Sequence, residues 1–65
     1  MQNQKLQDLI IDSLEIGMNV KLLLMAIGID EESFMVKVEY DKFTSDESRK
    51  LYKVIKDWRK ANAIF

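Results

Sequence analysis

The sequence predicts an all-α domain organised around two short helices joined by a tight turn. Three observations lead there. Apolar residues recur at helical spacing in four successive segments. An apolar run ends on a single glycine, Gly28, and an acid-rich run follows at once. Thr44-Ser45-Asp46-Glu47 carries the signature of a helix start. With 65 residues the chain forms one domain, residues 1–65.

The first helix is expected over residues 3–16. Leu6, Leu9, Ile10 and Leu14 lie on one side, with Lys5, Gln7, Asp8, Asp12 and Glu15 on the other. Gly17 supplies a stop and Asn19 an N-cap for a second helix over 19–27. Val20, Leu23, Leu24 and Ile27 follow the i, i+3, i+4, i+7 pattern and face inward. Leu22 and Met25 fall outside that stripe, either covered by a neighbouring helix or left for self-association. Gly28 ends this helix in the left-handed conformation, which glycine enters without a Cβ penalty. Asp30 then caps a third helix, over 31–39, through its carboxylate. Such a pair makes a helix-turn-helix.

In the third helix Phe34 and Val38 face inward, joined by Ile29 from the turn, while Glu32, Met35, Val36 and Glu39 lie outside. A rival reading exists for residues 36–40, where Val36-Lys37-Val38-Glu39-Tyr40 alternates as a half-buried strand would. A lone strand is unstable and no second strand pattern is present to pair with it, so the helix is favoured. After a connector at Asp41 to Phe43, Thr44 and Glu47 form a capping box for a last helix over 44–61. Leu51, Val54, Ile55 and Trp58 make its apolar stripe. Arg49, Lys53, Lys56 and Lys60 make a basic one, flanked by Lys50 and Arg59. The expected core is Leu6, Leu9, Ile10, Leu23, Leu24, Ile27, Phe34, Val38, Leu51, Ile55 and Trp58.

Composition narrows function. The chain has neither Cys nor His, which removes disulfides, thiolate chemistry and zinc-finger ligation; no metal or cofactor is expected. No nucleophile–base pair is visible, and 48% apolar residues in so short a chain build a small core without a deep pocket, so an enzyme is not expected. The longest apolar run, Leu22 to Ile27, is too short to cross a bilayer, and no signal peptide is visible. A cytoplasmic protein is the expectation. Net charge is −1, but its distribution is uneven. Residues 30–47 hold seven acids against two lysines, net −5, and residues 49–60 hold six bases against one acid, net +5.

Leu6 to Ser13, the turn Ile27-Gly28-Ile29, Ser33-Phe34, Lys37-Val38, and Phe43-Thr44 leading through Asp46-Glu47 to Arg49-Lys50-Leu51 together form a pattern. In that order and spacing the chain resembles the small lambda-repressor-like, Cro-type helix-turn-helix proteins of phages and prophages of Gram-positive bacteria. The resemblance implies a compact bundle of four to five helices with the third as recognition helix. Two departures stand out. Leu24 occupies the position, four before the turn glycine, where the family usually has a small residue. Asp30, Glu31, Glu32, Met35 and Val36 stand where it usually has polar or basic DNA-contacting residues.

Two functional classes follow. Carboxylates at the tip of a recognition helix oppose phosphate, whereas an apolar spot rimmed by acids suits a basic protein surface. In the first class Asp30, Glu31, Glu32, Met35, Val36 and Glu39 bind a protein partner. That partner is a repressor, making the chain an antirepressor, or a host defence nuclease such as a CRISPR effector, making it a DNA-mimicking inhibitor. In the second, a dimeric Cro-type repressor binds operator DNA, with Lys21, Lys37 and Lys42 on phosphates. The acids also have a plain structural use at a helix N-terminus, and the basic stripe one as a solvated face. A homodimer is expected in either class, because a domain this small cannot hide Leu22, Met25, Met35, Val36, Ile64 and Phe65 together; Leu22, Met25 and Phe65 are the proposed self-association residues.

Overall fold

Residues 5–63 are described in a computed structural model, and four helices account for most of them: α1 Leu6–Glu15, α2 Val20–Ile27, α3 Glu31–Tyr40 and α4 Ser45–Ala61. No strand occurs among the described residues, so residues 36–40 are helical. The rest of the expected first helix, residues 3–4, lies outside the described residues. That helix starts later than expected, because Lys5 is extended (φ −65°, ψ 148°) and makes no side-chain cap.

The breaks between helices are built by local chemistry. After α1, Gly17 has φ 111° and a pair of reverse bonds closes the turn: Gly17 N–H donates to Leu14 O at 3.2 Å and Met18 N–H to Ser13 O at 2.9 Å. This is a Schellman ending, which folds the residue after the glycine back onto the helix. Met18 is thereby pressed into the core, 4% exposed, a position that periodicity within either helix does not reveal. Asn19 then caps α2, its Oδ1 accepting from Lys21 N–H at 2.9 Å. Gly28 ends α2 in the left-handed region (φ 67°, ψ 39°), its N–H donating to Leu24 O at 2.7 Å. Asp41 ends α3 in the same region (φ 53°), where Asp is tolerated better than most side chains. The capping box of α4 is complete: Glu47 N–H donates to Thr44 Oγ1 at 3.1 Å, and Thr44 N–H to Glu47 Oε1 at 3.0 Å.

The core gathers Leu6, Ile10, Met18, Leu23, Phe34, Val38, Leu51 and Ile55, with all four helices contributing. Each such side chain removed from water stabilises the fold by about 1.5–3 kcal/mol. Leu9, Leu24, Ile27 and Trp58, expected in the core, are half-buried and pack against it. α4 lies chiefly on α2, and α1 touches both α3 and α4. Phe43 from the connector closes over Phe34, with ring centroids 5.7 Å apart and planes tilted by 52°.

Two polar ties cross between helices. Ser13, fully buried, accepts from Arg59 Nη2 at 3.0 Å and Nε at 3.3 Å, joining α1 to α4. Gln7 is not on the solvent side, as its spacing suggested. It is half-buried, and its Nε2 donates to Val38 O at 2.7 Å and Glu39 O at 3.2 Å; Val38 O otherwise takes only a long 3.4 Å bond from Asp41 N–H where α3 ends.

Candidate functional site

Phe34 and Val38 bury one side of α3, so a helical period of 3.6 residues turns Val36, Glu32 and Glu39 to the opposite side. Met35 is 45% exposed and Val36 50%, large values for apolar side chains in the middle of a helix. Glu31, Glu32, Met35, Val36 and Glu39 line one shallow, open depression. Five of the six residues proposed from sequence for partner binding are thus brought together. Tyr40, one turn beyond Val36 and 63% exposed, extends the same face. Sequence reading missed it because α3 continues through Tyr40 rather than ending at 39; its i+4 spacing from Val36 was the available signal.

Asp30 precedes α3 in extended conformation, but its carboxylate is not within capping geometry of a backbone amide. The Asp30 carboxyl lies below its ordinary value, held there first by the Ser33 hydroxyl, with the Asp30 and Ser33 backbone amides as lesser causes. The Asp30 carbonyl still accepts from Phe34 N–H at 3.0 Å, starting the helix.

The three lysines proposed for phosphate differ from one another. Lys21 on α2 and Lys42 after α3 are exposed. Lys37 is half-buried, with Nζ 3.1 Å from Glu47 Oε1, so its charge is already matched within the fold. That same carboxylate receives the Thr44 amide, and the amide first and Lys37 second hold Glu47 below its ordinary value. Leu22 (39% exposed) and Met25 (80%) are left open on α2 by both α1 and α4. Ile11 on α1 and Ile16 at its C-cap, not singled out from sequence, are also about half exposed, at 45% and 47%. Phe65 and Ile64 lie outside the described residues.

Among the described residues no group of three His, Cys, Asp or Glu side chains is placed to hold a metal ion, and no helix is long and apolar enough to cross a membrane. Comparison with protein-family models, with curated proteins and with solved structures finds no match.

Proposed function

We propose that the chain is a small phage-type regulator that keeps a lambda-repressor-like helix-turn-helix scaffold and uses the outer face of α3 to bind a basic protein surface. α2, the turn at 28–30 and α3 are read as the helix-turn-helix, with α3 in the recognition position. One observation carries the reading: an exposed apolar pair, Met35 and Val36, set between Glu31, Glu32 and Glu39 in a single depression. Exposed apolar spots with a charged rim are what protein interfaces are made of, and carboxylates there repel phosphate. A basic partner of this kind is a repressor's DNA-binding face or the nucleic-acid groove of a host defence nuclease, which places the chain in the bacterial cytoplasm. The role is binding rather than catalysis.

The rival reading, a Cro-type operator-binding repressor, is favoured by the exposed Lys21 and Lys42 and by the cations of α4. One set of substitutions separates the two. Glu31→Gln, Glu32→Gln and Glu39→Gln together leave folding nearly unchanged, because exposed charges contribute little to it. With a basic protein partner the triple variant associates more slowly and binds more weakly, most of all at low salt. With DNA the same changes remove repulsion, so affinity holds or rises. Electrophoretic shift with DNA from the gene's own locus, run beside binding to the candidate repressor or nuclease, reads both. Tighter DNA binding with unchanged protein binding would overturn the proposal.

A further inference from the structure

α3 and α4 carry opposite charges on their outward sides. The core side of α4 is set by Leu51 and Ile55, with Trp58 and Val54 beside them. At 3.6 residues per turn its opposite side is formed by Arg49, Lys53, Lys56 and Lys60, all exposed. Tyr52, 41% exposed, borders this stripe, and two acids lie beside it, Asp57 and Asp46, the latter paired with Lys50. Among the described residues the ion pairs Lys37–Glu47 and Lys50–Asp46 use none of these four cations and none of Glu31, Glu32 or Glu39. Both stripes face away from the core of their own molecule, so they are poorly placed to meet within one copy.

Their spacings match. Glu32 and Glu39 are seven residues apart, as are Lys53 and Lys60; each interval is two turns, or about 10.5 Å. Laid along α3, Lys53 and Lys60 reach the two carboxylates, and Lys56 lies across Val36 and Met35. Its methylene stem covers apolar surface while the ammonium stays in water. We propose that the acidic-apolar face of α3 docks the cationic side of α4 from a second copy of this chain, head to tail. The two surfaces differ, so the contact is heterologous: the joined copies together keep one free α3 face and one free α4 face, and association is open-ended. The contact uses the face assigned above to a partner but does not depend on that partner. It makes self-association a competitor for partner binding.

Sedimentation velocity of the full chain tests this at rising concentration and at low and high salt. The wild type should show average mass growing past a dimer at low salt and shrinking at high salt. The variant Glu32→Lys/Glu39→Lys, and separately Lys53→Glu/Lys60→Glu, should each lose self-association by about tenfold or more, the scale of two exposed ion pairs turned repulsive. Circular dichroism confirms that both are folded. Mixed in equal amounts, the first variant still offers a cationic α4 and the second an acidic α3. The two reversed faces, α3 of the first variant and α4 of the second, are complementary to each other as well, so the mixture should regain association that alternates the two variants and grows past a 1:1 complex. A wild type that stays monomeric at low salt overturns the proposal, as does a closed dimer unaffected by either variant, which would point to Leu22 and Met25 instead. A mixture that fails to associate overturns it too. Binding of a basic partner through α3, with no self-association, removes this contact alone and leaves the functional reading standing.

Discussion

Gly28 allows the backbone term at the α2–α3 turn to be separated from every side-chain contact. Its φ of 67° and ψ of 39° lie in the left-handed region, and a Cβ built there meets no heavy atom within 4 Å. Gly28→Ala therefore brings backbone strain without a clash. An L-residue in this conformation costs about 1–2 kcal/mol. Restricting the unfolded chain returns about 0.4–1 kcal/mol, so the net loss is about 1 kcal/mol. A domain of this size should lose about 4–8 °C in Tm for that amount. The chain is short enough for chemical synthesis, which makes the mirror substitution accessible. D-Ala at position 28 is at ease where L-Ala is strained and keeps the entropic gain, so it should stabilise by about 0.4–1 kcal/mol. The two enantiomers carry the same methyl group. Their difference measures the handedness of the turn, and thermal and urea unfolding followed by circular dichroism reads it. Equal stabilities for L-Ala and D-Ala would refute the left-handed assignment and with it the geometry that joins α2 to α3.

Two further outcomes are expected. The native Glu47 carboxyl is held below its ordinary value, by the Thr44 amide first and Lys37 second, so its contribution to stability is full above that ordinary value and is lost as pH falls through the lowered native one; Glu47→Gln should flatten this part of the acid-side stability profile, and an unaltered profile would remove Glu47 from it. Gln7→Ala removes the side-chain donor to Glu39 O and leaves Val38 O only its 3.4 Å bond from Asp41 N–H, which should cost about 1 kcal/mol and speed amide exchange in the last turn of α3, with no change expected in the first turn of α4.

What the sequence determined by itself is local. Helical periodicity placed the four helices, and the requirement for a residue without Cβ at the end of α2 placed the turn at Gly28. Thr44 and Glu47, three residues apart, specified a capping box that forms as expected because both partners lie in one turn of chain. Period 3.6 also ordered the outer face of α3, since Phe34 and Val38 inside leave Val36, Glu32 and Glu39 outside. Tertiary structure decided whatever joins distant residues. Gln7 meets a carbonyl 31 residues away and Arg59 a hydroxyl 46 residues away, and no periodicity within one helix encodes such a meeting. Met18 shows the same limit at short range: it belongs to neither helix, and only the reverse bonds around Gly17 turn its side chain into the core. Lys37 could have been a free cation by sequence. It is not, because packing α3 beside the start of α4 sets its ammonium against Glu47, and a charge matched inside the fold is no longer available to a ligand outside it.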